Sequence, residues 1–156
     1  MFRGSFDART DEKGRVICPL KFREQLGKVF ILIKGVPSAE GNRCLWLMTE
    51  SVWTEGIETK LNTDLFIDQD LMEFERFIRD GLMEASCDNQ GRFQISQKLR
   101  EYAGIAPQSD VMLVGMSNRI EIWAKESWDK TTGVLSAQRL VNMAARIGLG
   151  RYSPAS

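Results

Sequence analysis

An α+β fold built from a tandem, pseudo-symmetric pair of β units with short helices is predicted by three features of this 156-residue chain. The first is an internal repeat. Asp11-Glu12-Lys13-Gly14-Arg15 and Asp88-Asn89-Gln90-Gly91-Arg92 are in register at a constant offset of 77 (Arg15 to Arg92), and the match continues through Lys21-Phe22-Arg23-Glu24 and Lys98-Leu99-Arg100-Glu101 to Gly27 and Gly104. The second is that each copy passes through the same series of strand-sized apolar runs and one short helix. The third is a pair of additional helical patterns at the joints, over 68–80 and 136–147. A duplicated unit within one chain forms a pseudo-symmetric pair, so the Asp-x-x-Gly-Arg loop is presented twice.

In chain order, 5–9 reads as a strand, 11–14 as a tight turn and 15–18 as a returning strand. Pro19 then opens a short helix where its missing N–H does no harm; Ser96 holds the matching place in copy two and suits an N-cap. Phe22 and Leu26, like Leu99 and Ala103, stand at i, i+4, giving each helix one thin apolar face opposite Lys, Arg and Glu. A β-hairpin follows, 29–33 with 44–48 in copy one and 111–114 with 120–123 in copy two, and the chain re-enters helix at 49–53 and 125–128. Over 68–80, Leu71, Phe74, Phe77 and Ile78 share one face, with Asp68 as N-cap and Gly81 as the stop. Leu140, Val141, Ala144 and Ile147 recur at helical spacing, and the segment from Gly148 has turn composition, predicting a mobile tail. The expected division is a first repeat over 1–61, a linker helix over 62–83, a second repeat over 84–135, and a C-terminal helix and tail over 136–156.

Charge sums to zero but is unevenly placed. Residues 1–28 carry a net +3, residues 29–86 a net −6 and residues 87–156 a net +3, so both repeat openings are basic and the segment between them is acidic. A local basic face is the footprint that matters for nucleic acid. No apolar stretch has the length of a signal h-region or a membrane span, and the expected setting is the cytoplasm. With no histidine, no Cys-x-x-Cys and three dispersed cysteines, the chain offers no zinc ligand set, so Cys18, Cys44 and Cys87 are expected as small buried side chains. Serine and threonine have no histidine partner, and no phosphate-cradling glycine motif occurs, so neither catalysis nor a cofactor is expected. Trp46, Trp53, Trp123 and Trp128 recur at the same joint of each copy; they are able to stack on bases, but core or interface packing is the expectation. Asp64, Asp68, Asp70, Glu73 and Glu75 lack cation-loop spacing and read as a solvated acidic face.

The loops carry the functional expectation. Gly14 and Gly91 occupy turn positions that need positive φ, and Asp11 and Asp88 can fold their carboxylates onto turn N–H groups. Arg15 and Arg92 then open the next strand. Each is able to pair with its own aspartate and merely brace the turn, or to offer a planar fork to a phosphate or a guanine edge. Spacing alone leaves both readings open.

Met1-Phe2-Arg3-Gly4, Asp11-x-Lys13-Gly14-Arg15, Pro19, Phe22-Arg23, Asp88-x-x-Gly91-Arg92 and Val114-Gly115…Ile120-Glu121-Ile122-Trp123 together resemble the MraZ family of bacterial transcriptional regulators, over residues 1 to about 135. The resemblance implies a tandem pair of swapped-hairpin units of the AbrB/MazE type, in which one chain does the work of a dimer. It also implies ring-shaped homo-oligomers, often octamers, that bind short direct repeats of TGGG type upstream of their own operon, the division and cell wall cluster. On that basis Lys13, Arg15 and Arg92 are expected at base edges or nearby phosphates of double-stranded DNA. Arg3, Arg9, Lys21 and Arg23 are expected to add charge along the DNA backbone. Gly14 and Gly91 shape the loops, and Gln90 replaces Lys13 in a less basic second loop. The alternative is an antitoxin-like module that masks a partner protein, for which a long disordered tail would speak; only nine residues follow Ile147.

Overall fold

The computed structural model describes residues 1–61 and 68–149; the expected tail beyond Leu149, and Asp64 of the acidic group, lie outside the described residues. Repeat one supplies β1 (Ser5–Arg9), β2 (Arg15–Ile17), α1 (Leu20–Leu26), β3 (Phe30–Lys34) and β4 (Leu45–Thr49). A π-helical segment, Val52–Glu58, and the short α2 (Thr59–Leu61) follow. After α3 (Gln69–Arg79), repeat two supplies β5 (Met83–Ala85), β6 (Arg92–Gln94), α4 (Gln97–Ala103), β7 (Asp110–Gly115), β8 (Ile120–Ala124) and α5 (Lys125–Gly133), followed by α6 (Ala137–Arg146).

Six strands form one sheet in the order β1-β7-β8-β4-β3-β5, and β2 and β6 form a separate two-stranded ribbon. The predicted hairpins β3–β4 and β7–β8 are present and meet along β4–β8. The turn at 11–14 does close locally, Asp11 N–H donating to the Arg15 carbonyl at 2.9 Å and Gly14 N–H to the Asp11 carbonyl at 3.1 Å. Yet β1 pairs with β7 of the other repeat, β5 pairs reciprocally with β3, and β2 pairs with β6. Each repeat thus lends an arm to its twin, which is the swapped-hairpin arrangement. In the ribbon Val16 faces Phe93, its own counterpart at the repeat offset, so the pseudo-twofold axis passes between them.

Alternation along the strands fills both faces of the sheet. On one face Phe30, Leu32, Leu45, Leu47, Val111, Leu113, Ile120 and Ile122 join Val16, Phe93, Phe22 and Leu99, which arrive from the ribbon, α1 and α4. Phe30 and Phe93 meet edge to face at 5.8 Å, as Phe6 and Phe22 do at 5.0 Å. Phe22, Phe30 and Phe93, each removed from water, contribute roughly 1.5–3 kcal/mol apiece. The opposite face is covered in two places: Ile31, Ile33 and Met48 pack with Trp53 and Ile78, and Met112, Val114 and Trp123 pack with Trp128 of α5. Trp53 and Trp123 are buried and Trp46 and Trp128 half-buried, all four within the packing.

The expected caps are present, Ser96 and Asp68 accepting N–H bonds from the first turns of α4 and α3, and Ser136 does the same for α6. Helix re-entry after β4 takes the wider π form, whose five-residue spacing brings Glu58 back over Trp53 to accept its indole N–H at 3.2 Å. Lys34, almost buried, pins α3 to the sheet through Asp80 (3.0 Å) and lies over the Phe77 ring at 4.5 Å. The apolar residues at α6 are a different matter, since Leu140 and Val141 on the helix and Ile147 just past its end are exposed.

Candidate nucleic-acid interface

The two signature loops are near-copies in bonding as well as in sequence. In the first, Asp11 Oδ1 accepts the N–H groups of Lys13 and Arg15, both at 2.9 Å, while Oδ2 accepts Arg15 Nε–H at 2.7 Å. In the second, Asp88 Oδ1 accepts those of Gln90 and Arg92, both at 2.9 Å, and Oδ2 accepts Arg92 Nε–H at 2.9 Å. Bracing by the aspartates is therefore real. It uses only Nε of each guanidinium, so it orients the planar fork and leaves both Nη groups for a ligand.

These bonds hold both carboxyls below their ordinary value of 3.8, chiefly through the Arg15 and Arg92 backbone N–H groups and also through their guanidinium bonds. A lowered carboxyl stabilises the folded loop fully above its unfolded value and loses that contribution only as pH falls through the lowered one. The loops should accordingly survive acidification to pH 3.8. In an NMR titration the Arg15 and Arg92 Nε–H signals are expected to shift with midpoints below that value, and midpoints above it would contradict the bracing.

Glycine is required at both turns. Gly14 and Gly91 have φ of +79° and +78°, and each lies directly beneath an arginine of the opposite repeat. A Cβ on Gly14 would come within 2.6 Å of Arg100 Cζ, and one on Gly91 within 2.6 Å of Arg23 Nη1. Those arginines are themselves fixed, Arg100 Nε–H donating to the Ile95 carbonyl at 3.0 Å and Arg23 Nε–H to the Cys18 carbonyl at 3.2 Å. Backbone bonds from Cys18 N–H to the Gly91 carbonyl (2.8 Å) and from Ile95 N–H to the Gly14 carbonyl (3.3 Å) join each loop to the end of the other repeat's ribbon strand.

The ribbon sets the direction of the side chains. Val16 and Phe93 point into the core, so Arg15 and Ile17 on β2, and Arg92 and Gln94 on β6, point outward. Register places Arg15 beside Gln94 and Ile17 beside Arg92. Around the pseudo-twofold axis the surface therefore gathers two pairs of oriented guanidinium groups, Arg15 with Arg92 and Arg23 with Arg100. Lys13 is exposed on the first loop, its carbonyl held by Gln94 Nε2 at 2.7 Å, and Gln90 is exposed on the second. Lys21 is exposed on α1. Arg9, at the end of β1 next to the loop, is ion-paired with Asp110 at 3.0 Å. Arg3 stands apart, at the far end of β1, where Phe2 bridges to Ser117.

Sequence reasoning missed Arg100. It reads as one more charge on a solvated helix face, and only its repeat relation to Arg23 signals more. Burial raises the Cys18 thiol to about 12 and pushes Cys44 and Cys87 upward too, as suits inert packing groups.

These features define a tandem swapped-hairpin protein that presents two arginine loops and a two-stranded ribbon on one surface. The sequence profile of the family described as "MraZ protein, putative antitoxin-like" matches residues 81–148. A protein named Transcriptional regulator MraZ from Acetivibrio thermocellus is 40% identical over 151 residues, covering 96% of this chain and 100% of the relative. Proteins of the same name from Thermoanaerobacter sp. and Desulforamulus reducens are 42% and 41% identical over 130 residues, each covering 83% of this chain and 85% and 86% of the relative. The chain belongs to the MraZ family.

Proposed function

We propose that this protein is a sequence-specific, double-stranded DNA-binding transcriptional regulator that acts without catalysis in the cytoplasm, at the nucleoid. The observation that carries this reading is the ribbon: both signature arginines point outward from one two-stranded β-ribbon, flanked by Arg23 and Arg100, and each fork is held by its own aspartate. A ribbon of two strands fits the major groove, where an arginine fork matches guanine O6 and N7. Lys13, Lys21, Arg23 and Arg100 supply phosphate contacts, with Arg9 and Arg3 farther out. The named relatives, all transcriptional regulators, support the same role.

The target is a set of short direct repeats in the protein's own promoter, ahead of the division and cell wall operon, as the family implies. The working form is a homo-oligomer, a ring and in the first instance an octamer. The exposed apolar residues of α6 support association of copies. A single protomer of zero net charge gains little from long-range attraction, so neighbouring protomers that grip successive repeats provide affinity through effective concentration.

This mechanism requires the repeats to face one side of the duplex, roughly one helical turn or about 10 bp apart. In a titration at fixed salt on the DNA upstream of its start codon, inserting about half a turn between repeats should cost far more affinity than inserting a whole turn. Equal losses would mean that each repeat is bound independently.

A further inference from the structure

The recognition surface is symmetric in its arginines and asymmetric in nearly everything between them. Positions related by the repeat offset carry Asp11 and Asp88, Arg15 and Arg92, and Arg23 and Arg100. On the outward side, however, Ile17 is answered by Gln94, Leu20 by Gln97 and Lys13 by Gln90. Ile17 is 57% exposed and Leu20 59% exposed, so two branched apolar side chains, three residues apart, face solvent.

Register sorts these differences into two ends. Ile17 lies across from Arg92, and Leu20 follows it at the start of α1, so this end joins one arginine to an apolar surface. Arg15 lies across from Gln94, whose amide nitrogen is committed to the Lys13 and Ile95 carbonyls at 2.7 and 3.0 Å. That end joins an arginine and a lysine to an amide whose oxygen is left as an acceptor. Among base edges in the major groove, only thymine offers an apolar group, its 5-methyl.

We infer that Ile17, backed by Leu20, packs on the 5-methyl group of a thymine adjoining the guanine taken by Arg92, while the Arg15–Gln94 end reads its bases by hydrogen bonds alone. A protein with a true twofold axis reads both halves of its site alike and selects a palindrome. Here the broken symmetry selects a non-palindromic element and fixes the direction in which each protomer lies on it. Direct repeats, all pointing one way, are the arrangement that such a protomer can read in succession. The inference rests on the proposal that the ribbon binds DNA.

The test uses the full-length protein and a duplex carrying one repeat from its own promoter, with each thymine replaced in turn by deoxyuridine, which removes only the methyl group. For the wild-type protein one replacement, next to a guanine, should weaken binding roughly fourfold, the value of one methyl taken out of water. Ile17→Ala should bind the unmodified duplex weakly by a similar factor and be indifferent to that replacement, with an unchanged melting temperature because the side chain is exposed. The exchange variant Ile17→Gln/Gln94→Ile should move the methyl dependence to the other end of the element. If the wild-type protein prefers the repeat over scrambled DNA but no deoxyuridine matters, or if Ile17→Ala keeps the wild-type pattern, the inference is overturned and the DNA-binding reading stands. If the wild-type protein shows no preference for the repeat, both fall.

Discussion

Arg15→Ala and Arg92→Ala should each weaken specific DNA binding by roughly 1–3 kcal/mol per site, with the assembly intact. Each guanidinium is half-buried, fixed through Nε to its own aspartate, and offers its Nη groups outward. Such a fork is oriented before the DNA arrives, so little ordering entropy is lost on contact. The second loop carries Gln90 where the first has Lys13, so Arg92→Ala should cost the same or somewhat less than Arg15→Ala. Loss of a surface ion pair alone would move stability little. A variant that bound DNA normally while melting earlier would assign the arginine to bracing the loop and nothing else.

Phe93→Ala should destabilise the fold by roughly 3–5 kcal/mol, the cost of a large cavity in a close-packed core. Phe93 is 1% exposed, sits opposite Val16 on the pseudo-twofold axis, and meets Phe30 of the other repeat edge to face. It therefore joins the ribbon to the sheet and repeat two to repeat one. Urea unfolding followed by tryptophan fluorescence measures the loss. A single transition with a lowered midpoint is expected, because the two repeats share one core. Two separate transitions, or a loss below about 1 kcal/mol, would mean that each repeat holds itself together.

Much of this architecture was legible in the sequence, because the information was local. The repeat offset gave the pseudo-twofold relation, strand-sized apolar runs gave the hairpins β3–β4 and β7–β8, and Ser96 and Asp68 announced their helices. The strand exchange is different. The bonds that close the turn at 11–14 lie within five residues and are the same whether the returning strand pairs with its own arm or its twin's, so only the family resemblance pointed to the swap. The π-helical turn at Val52–Glu58 accompanies the packing of Trp53 on Ile31, Ile33 and Met48 of the sheet, a tertiary contact that no local pattern announces. Arg15 and Arg92 were singled out because they stand in a repeated motif. Arg100 was not, because its role comes from lying over Gly14, more than eighty residues away in sequence. Ile17 reads as one more apolar strand residue until the ribbon register turns it outward.

The most direct test of the account is to methylate guanine N7 in the promoter repeats before binding, which blocks the major-groove acceptor of an arginine fork and leaves base pairing in place. The wild-type protein should lose affinity for duplexes methylated at the guanines its forks contact, and Arg15→Ala and Arg92→Ala should each become insensitive at one of them. Binding that is indifferent to N7 methylation, with both variants matching the wild-type protein, would show that the β2–β6 ribbon does not read DNA.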